Sequence, residues 1–395
     1  MPLFKLKNVI QNYSWGSKKS ISDLFGVRNA KHEPQAELWM GAHPNGCSKV
    51  AETGELLSDV ISQDNNAMFG SYTTFRFGEL PFLLKVLAAE SPLSIQVHPC
   101  KEKAQKGFER ENKQGIPIQA ANRNYKDANH KPEMVYALTF YKAMNGFRPI
   151  DDIIALFEQA QIDTLAGEVA ALKDQLNTHG LKTFFSAIMS LQGKRKEAAL
   201  SELYQAQKKP AKTSMARDAM QYSIEFTQHY KDDIGLFAPF MLNTIELAPG
   251  EAMFLHSETP HAYVKGTGLE IMASSDNVLR AGLTSKYIDV PELINNTKFT
   301  PIDPDNIKLS PILKEGRLSY PIPVDDFGFD ILSATDKNQS QFLRSAEILF
   351  CIEGRATVTV DDRQLSLKAG ESVFISYSSH SYQYQGNGVL ARAYN

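Results

Sequence analysis

Three distant segments of the sequence carry side chains that could meet to bind a metal ion. Gln96 and His98 lie two residues apart in SIQVHP, so on a strand both would point to the same face. Glu133 follows Pro132 at the entry to an apolar run, and His261 follows a turn in TPHAY. Two imidazoles, one carboxylate and one carboxamide can together bind a borderline cation such as zinc. Because spacing cannot show that the segments converge, these side chains could equally be solvated or bonded to the backbone.

A fourth segment, LEIMASSDNVLRAGLTSK, carries acidic and basic side chains in a loop-rich run. It contains Glu270, Asp276, Arg280 and Lys286. Arg280 and Lys286 lie on either side of Gly282 and can form the cationic end of a cleft. Arginine can bind a phosphate or a carboxylate through two hydrogen bonds, and lysine acts as a point charge. An ordinary surface loop with ion pairs is the other interpretation.

The chain of 395 residues has the composition of a folded globular protein, with 43% hydrophobic and 22% charged residues. Its net charge of −3 does not favour a nucleic-acid partner. Three widely separated cysteines indicate a reducing compartment rather than a disulfide framework. No signal peptide is recognisable, and the longest apolar stretch, PFLLKVLAA, is broken by Lys85 and too short for a bilayer. We therefore expect a cytoplasmic protein with no membrane partner.

Sequence patterns divide the chain into strand-like and helical parts. Short apolar runs between turn residues predict antiparallel strands in 1–150, where the polar segment 108–130 is predicted to be a long loop. Apolar residues recur at three- and four-residue spacing between Asp151 and Tyr230, which predicts amphipathic helices. Strand-like alternation returns at Leu242 and again near the C-terminus. The chain is therefore predicted to be mainly β with a helical insertion.

One segment of the sequence recurs. LAPGEAMF at 247–254 is similar to LKAGESVF at 367–374, which lies 120 residues further on. Each copy follows a strand-like run and leads to a histidine, which predicts two jelly rolls of the same kind. The second copy has Ser381 where the first has His261, so we expect it to lack the chemistry of the first.

Six motifs together resemble the type I mannose-6-phosphate isomerases (phosphomannose isomerases), and they occur in that family's order. They are QNYSWG at 11–16, AELWMGAHP at 36–44, SIQVHP at 94–99, KPEM at 131–134, PHAY at 260–263 and SSDNVLRAGLTSK at 274–286. The resemblance implies a zinc-dependent cupin enzyme that interconverts mannose 6-phosphate and fructose 6-phosphate. That reaction belongs to mannose metabolism and to the supply of precursors for GDP-mannose.

The resemblance also implies a cupin-type double jelly roll with an α-helical domain inserted into it. We expect a discontinuous catalytic cupin domain over 1–150 and 241–320, with the helical insertion over 151–240. A C-terminal jelly roll without a metal site is expected over 321–395. We expect the protein to be a monomer whose partner is a small sugar phosphate.

Site residues follow from the resemblance one by one. The family's ligands for a single zinc ion correspond to Gln96, His98, Glu133 and His261. Its active-site arginine corresponds to Arg280. The other residues that match the family's pocket are two with an implied catalytic role, Lys131 and Glu270, and two with an implied substrate-binding role, Lys286 and Ser94.

The implied reaction moves a proton between C1 and C2 through an enediolate, so the site must stabilise negative charge on oxygen, as a metal ion can. Zinc contributes +2 and Glu133 −1, which leaves the ion and its ligands electrophilic. We expect Arg280 beside the reacting oxygens and Lys286 nearer the phosphate. The candidates for the general base are Glu270, Lys131 and a metal-bound water, with Glu270 or the water favoured.

Two alternative functions remain from the sequence. A ferrous cupin oxygenase commonly uses two histidines and one carboxylate with open coordination positions. Gln96 as a fourth ligand and the cationic pair Arg280 and Lys286 favour a phosphorylated substrate instead. A non-catalytic sugar-binding cupin is the second alternative, and it has no need of Lys131 and Glu270 beside a metal.

Overall fold

The computed structural model describes residues 2–395, and its front part consists of antiparallel strands interrupted by short helices. The strands up to Arg280 are β1 (Leu3–Lys7), β2 (Val9–Gln11), β3 (Glu37–Met40), β4 (Lys49–Val50), β5 (Phe82–Ala89), β6 (Gln96–Val97), β7 (Glu133–Ala137), β8 (Tyr141–Phe147), β9 (Leu242–Leu247), β10 (Ala252–Leu255), β11 (His261–Ala273) and β12 (Leu279–Arg280). The helices among the first eight of these strands are α1 (Ser20–Phe25), α2 (Leu57–Gln63), α3 (Asn65–Phe69), α4 (Ser71–Arg76) and α5 (Lys101–Lys113).

The long strand β11 joins the two layers of the first jelly roll. Its C-terminal half lies between β5 and β7, and its N-terminal half pairs with β6 and β8. Strands β9 and β12 extend the second layer by pairing with β8 and β6. A single strand therefore carries both His261, in one layer, and Glu270, in the other.

A helical unit separates β8 from β9 along the chain. Its helices are α6 (Ile150–Ala160), α7 (Ala166–Asp174), α8 (Thr178–Met189), α9 (Gly193–Ala206), α10 (Ser214–Thr227) and α11 (Ala238–Met241), and α12 (Val290–Asn295) follows β12. Single turns of 3-10 helix lie at Asp163–Leu165, Ile234–Phe237, Pro304–Asn306 and Tyr377–Ser379. The unit packs on the jelly roll through aromatic rings, since Phe147 of β8 contacts Phe185 of α8 edge-on and stacks on Phe299. The predicted helical insertion is present.

The loop predicted over 108–130 is wrong in its first part, because helix α5 continues to Lys113. This helix has few apolar residues, and a buried carboxylate anchors it instead. Glu111 lies 2.9 Å from the guanidinium of Arg123, in the loop that follows. The buried face of the helix is formed by Ala104, Gly107 and Glu111 instead of large apolar residues, so the sequence shows little apolar character there.

The rest of the chain forms a second jelly roll. Its strands are β13 (Ile312–Lys314), β14 (Arg317–Ser319), β15 (Gly328–Ser333), β16 (Gln339–Phe342), β17 (Glu347–Glu353), β18 (Arg355–Val360), β19 (Arg363–Lys368), β20 (Ser372–Ile375), β21 (Ser381–Gly386) and β22 (Val389–Tyr394). One sheet has the order β13-β14-β15-β22-β17-β20-β1-β4, and the other has the order β16-β21-β18-β19. Strands β1 and β4 come from the start of the chain, so the N-terminal segment ties the two jelly rolls together.

None of the helices described within 2–395 has the length and apolar character needed to cross a membrane.

Candidate active site

Three buried side chains cluster inside the first jelly roll. His98 follows β6, Glu133 begins β7 and His261 begins β11, and none of them is more than 2% exposed. Their ligand atoms all lie within 4.8 Å of one another. Nε2 of His98 is 3.3 Å from Oε1 of Glu133, and Nε2 of His261 is 3.4 Å from Oε2.

Both imidazole rings are oriented by main-chain carbonyl groups. The Nδ1–H of His98 donates to the oxygen of Asn277 (2.7 Å), and the Nδ1–H of His261 donates to the oxygen of Thr259 (2.9 Å). Because Nδ1 carries the proton, Nε2 presents a lone pair, which is the form of imidazole that binds a metal. Within residues 2–395, Nε2 of His98 has no hydrogen-bond partner.

These donors fit a zinc ion. Bonds of about 2.0–2.1 Å in a tetrahedron place neighbouring ligand atoms roughly 3.3–3.4 Å apart. Nε2 of each histidine lies at about that distance from one of the two oxygens of Glu133, His98 from Oε1 and His261 from Oε2. A buried nitrogen lone pair without a partner is also costly unless a cation binds it. The residues present therefore fit the metal ion that the resemblance implies.

Gln96 and Arg280 adjoin the cluster in a row that crosses four strands. In this row Asn145 of β8 lies opposite His261, His261 lies opposite Gln96, and Gln96 lies opposite Arg280. Residues directly opposite one another in antiparallel strands project from the same face. The half-buried Gln96 amide therefore stands between the imidazole of His261 and the guanidinium of Arg280.

Two buried lysines balance the buried carboxylates. Nζ of Lys131 is 2.9 Å from Oε1 of Glu133. Nζ of Lys85 is 2.7 Å from Glu270, which lies opposite it in the ladder between β5 and β11, and 3.8 Å from Glu37. The interior of this jelly roll therefore contains two groups of paired charges instead of a purely apolar core.

The pair of Lys85 and Glu270 shifts the protonation of both groups. Burial lowers the pKa of the Lys85 ammonium, but Glu270 and Glu37 together outweigh burial and raise that pKa above its ordinary value. Burial raises the pKa of the Glu270 carboxyl, and the charge of Lys85 opposes that rise only in part. Lys85 is thus a charged donor, while Glu270 takes up a proton more readily than an exposed glutamate does.

Sequence reasoning missed Lys85, which it treated only as a break in an apolar stretch. All eight residues of β5 are buried, so a lysine in that strand must find an anionic partner inside the protein. A lysine in the middle of a strand that is otherwise apolar was the signal that could have identified it.

Lys286 lies exposed at the rim of the site. Partial burial lowers the pKa of its ammonium, and the charges of Arg280 and Lys126 lower it further. Lys126 was not identified from the sequence. The three cations therefore share one region at the entrance, where an anionic group would be attracted.

The helical unit holds the loop that leads from Arg280 to Lys286. The Asp233 carboxylate accepts hydrogen bonds from the main-chain N–H groups of Leu283 (2.8 Å) and Thr284 (3.1 Å). Gly282 has φ +129°, and a Cβ there would lie 2.8 Å from the Cα of Gly235. Glycine is therefore required at position 282 for this close approach.

Four of the predicted site residues are in direct contact, namely Lys131, His98, Glu133 and His261. Gln96 and Arg280 adjoin them in the same row, and Glu270 contacts Lys85 further along β11. Ser94 is half-buried, two residues before Gln96, whereas Lys286 is exposed. The structure does not bring Ser94 and Lys286 together with the buried cluster.

Three parts of the chain match the domains of one family. Residues 3–150 match the catalytic domain of type I phosphomannose isomerase, and residues 154–242 match its helical insertion domain. Residues 317–395 match the cupin domain of mannose-6-phosphate isomerase. The predicted cupin fold with a helical insertion is confirmed.

The similarity extends over the whole chain. It is 47% identical to the mannose-6-phosphate isomerase of Salmonella typhimurium and 46% identical to that of Escherichia coli, with 99% of each chain covered. A zinc-bound crystal structure of a mannose 6-phosphate isomerase has a TM-score of 0.94 to this structure at 46% identity, with 100% of both chains covered. The chain belongs to the type I phosphomannose isomerase family.

Proposed function

We propose that the protein interconverts D-mannose 6-phosphate and D-fructose 6-phosphate in a zinc-dependent reaction. The observation that carries the proposal is the buried cluster of His98, Glu133 and His261, in a chain that is similar to mannose-6-phosphate isomerases from end to end. Lys131, which contacts Glu133, and the neighbouring pair of Lys85 and Glu270 add the charged groups that an isomerase needs beside a metal.

Gln96, His98, Glu133 and His261 would hold one zinc ion. When bound, zinc supplies a Lewis acid that stabilises negative charge on the substrate oxygens as a proton leaves carbon. Gln96 is neutral, and the single charge of Glu133 is already opposed by Lys131 at 2.9 Å. The ligand set therefore leaves the ion electrophilic.

Glu270 is the candidate for the group that takes the proton from the substrate. A general base works best when its pKa lies near the operating pH, and burial raises the pKa of Glu270 toward that range. Lys85 holds the carboxylate at 2.7 Å and fixes its direction. Lys131 is the second candidate, although its ammonium is already engaged with Glu133.

Arg280 would stabilise the enediolate. It lies in the same row as Gln96 and His261, so its guanidinium is presented on the face that carries the metal ligands. A fixed cation in a partly buried position interacts strongly with charge that develops on a reacting oxygen. Lys286, at the entrance, would bind the phosphate together with Ser94, and Lys126 adds a further positive charge there.

The proposal is tested by adding mannose 6-phosphate to the purified protein and measuring fructose 6-phosphate with a coupled assay. The expected result is turnover that depends on bound zinc. Binding of the sugar phosphate without turnover would show a non-catalytic cupin, and oxygen uptake with ferrous iron in its place would show an oxygenase. In deuterated water we expect deuterium in the product, because the proton passes through an acid–base group.

We further propose that residues 1–150 and 241–320 form the catalytic domain, with the helical domain at 151–240 and a jelly roll without a metal site at 321–395. The helices α6 to α11 between β8 and β9 support this division. We also propose that the protein is a monomer in the cytoplasm, and three cysteines without disulfides support a reducing compartment. Light scattering should give a mass near 44.0 kDa, and twice that mass would contradict the monomer.

A further inference from the structure

Asn277 is a fully buried residue between β11 and β12 that contacts one of the metal-site histidines. Its side chain is 0% exposed, and its main-chain oxygen accepts the Nδ1–H of His98 at 2.7 Å. This single carbonyl therefore determines which nitrogen of His98 faces Glu133. The position of that carbonyl depends in turn on what holds Asn277.

The side-chain amide of Asn277 holds the loop that leads to Lys131 and Glu133. Its Oδ1 accepts from the main-chain N–H groups of Lys126 (2.7 Å) and Asp127 (3.3 Å). Its Nδ2 donates to the main-chain oxygens of Asp127 (2.8 Å) and Asn129 (2.8 Å), and to the Asp127 carboxylate (3.1 Å). Because N–H groups surround Oδ1 and oxygen atoms surround Nδ2, these hydrogen bonds allow one orientation of the side-chain amide.

The loop is also held from the other side. The Asp127 carboxylate accepts the main-chain N–H of Asp276 (2.7 Å) and the hydroxyl of Ser275 (2.9 Å). The segment 275–277 and the loop 126–129 thus form one hydrogen-bonded unit. His98, which follows β6, is hydrogen-bonded to this unit through the carbonyl of Asn277.

We infer that Asn277 is a positioning residue that couples the orientation of His98 to the placement of the loop before Lys131 and Glu133. Its expected effect on kcat rests on the proposed function, whereas the coupling between His98 and the loop does not depend on that function. Asn277 need not touch the substrate, because its backbone acts on His98 while its side chain acts on residues 126–129. Loss of the amide would therefore loosen both the metal ligand His98 and the loop 126–129 that leads to Glu133.

Asparagine is the residue type that this position requires. An alanine would remove the hydrogen bonds that Asn277 makes to two main-chain N–H groups and two main-chain carbonyl groups of a partly buried loop, which is costly. An aspartate could still accept from Lys126 and Asp127, but it would place a carboxylate against the carbonyl oxygens that Nδ2 now satisfies. Groups that orient a metal ligand typically contribute 10- to 100-fold to metal affinity.

The experiment compares Asn277→Ala with Asn243→Ala, a matched control. Asn243 is 1% exposed, and its Nδ2 also donates to several main-chain oxygens, the closest being those of Ile302 (3.0 Å) and Phe147 (3.1 Å). Its longer contacts, at 3.4 Å, are to the main-chain oxygens of Asn145 and Gly146, so its hydrogen bonds within residues 2–395 go to the main chain and to none of the metal-site side chains. Zinc affinity is measured by competition with a chromophoric chelator, and amide hydrogen exchange is measured in the metal-free protein.

We expect Asn277→Ala to lower zinc affinity roughly 10- to 100-fold and to speed exchange at residues 126–129. The control should lower thermal stability while leaving both properties unchanged. Wild-type zinc affinity with unchanged exchange in Asn277→Ala would overturn the inference. If the alanine variant does not fold, Asn277→Ser is used with the same readouts and the same criteria.

The two hypotheses can fail separately. If the wild-type protein binds zinc but does not turn over mannose 6-phosphate, the proposed function is wrong, and the affinity comparison still tests Asn277. If the wild-type protein binds no zinc, hydrogen exchange at 126–129 still decides whether the amide holds the loop. In an active enzyme we expect Asn277→Ala, measured at saturating zinc, to lower kcat more than it raises KM.

Discussion

Glu347 in the C-terminal jelly roll occupies the strand position that Glu133 occupies in the first jelly roll. Leu255 lies opposite Glu133 in the ladder between β10 and β7, and Ile375 lies opposite Glu347 in the ladder between β20 and β17. Leu255 and Ile375 are equivalent in the 120-residue repeat. The strand register therefore makes the two glutamates equivalent, although among residues 2–395 only the first lies in a cluster of potential metal ligands.

Each of these glutamates has an ion pair at an equivalent place nearby, but the positive and negative residues of the pair are exchanged between the two jelly rolls. In the first jelly roll Glu270 lies opposite Lys85. Glu270 also lies opposite Val135, two residues after Glu133, and Arg392 lies opposite Leu349, two residues after Glu347. Arg392 is thus equivalent to Glu270, and Asp330, which lies opposite Arg392, is equivalent to Lys85. On β22 a cation stands where β11 has an anion, and on β15 an anion stands where β5 has a cation.

Arg392 bonds to two buried carboxylates of the second jelly roll, those of Glu347 and Asp330. Its Nε donates to Glu347 at 2.7 Å, its Nη2 makes a second bond to the same carboxylate, and its Nη1 donates to Asp330 at 2.7 Å. Ser381 stands at the start of β21 where His261 stands at the start of β11. The second jelly roll thus balances its buried glutamate with an internal guanidinium, whereas the first has imidazole nitrogens suited to a metal.

We predict that Arg392→Met lowers the free energy of unfolding by about 3–5 kcal/mol, because it removes the guanidinium bonded to buried Glu347 and leaves Asp330 with the more distant Arg317, at 3.6 Å. Urea unfolding measures this change. The control is Arg76→Met, which removes an exposed ion pair with Asp325 and should cost less than about 1 kcal/mol. Zinc content and turnover of the folded Arg392→Met protein should stay unchanged, and unaltered stability would show that the buried pair contributes nothing.

Local sequence patterns predicted the strands and helices, but they could not predict the contacts between distant residues inside the site. Alternation along strands and helical periodicity depend on neighbouring residues, so the antiparallel sheets and the helical insertion could be predicted. The grouping of Gln96 with residues from other strands rested on family resemblance, because spacing carries no information about convergence. Lys85 and Asn277 went unnoticed since their partners lie on segments far away in the chain. Helix α5 was missed because two small residues and the carboxylate of Glu111 form its buried face, in place of large apolar side chains.

Removal of a metal ligand should remove both the metal and the activity. His261→Ala and Gln96→Ala should each lower zinc affinity more than the roughly 10- to 100-fold that is typical when a group hydrogen-bonded to a metal ligand is removed. Metal analysis and the coupled assay measure the two effects in parallel. Chelation of the wild-type protein should abolish turnover, and added zinc should restore it. Activity that survives complete loss of zinc would contradict the proposed role of the metal.

Arg280 and Lys286 should differ in the kinetic constant that they control. Arg280→Ala should retain zinc while kcat falls roughly 10²- to 10³-fold, as expected for a donor that stabilises charge in the transition state. Lys286→Ala should raise KM and change kcat little, because the phosphate is distant from the reacting carbons. Steady-state kinetics at saturating zinc separates the two. A rise in KM alone for Arg280→Ala would assign it to substrate binding.

Lys85→Met should move the pH dependence of the reaction. The charge of Lys85 opposes the rise in the pKa of Glu270, so its removal should raise that pKa further. If Glu270 is the base, it acts only when deprotonated, and the acidic limb of the kcat/KM profile must shift to higher pH. Activity should therefore fall more at pH 6 than at pH 8.

The control for this experiment is Lys142→Met, which breaks a partly buried ion pair at 2.7 Å between Lys142 of β8 and Glu225 of α10. It should leave the profile in place even if it lowers stability. An acidic limb that stays fixed in Lys85→Met, at normal zinc content, would exclude Glu270 as the base. The proton transfer would then fall to one of the other two candidates, a metal-bound water or Lys131, and Lys131→Met, which removes the ammonium that contacts Glu133, tests the second of these.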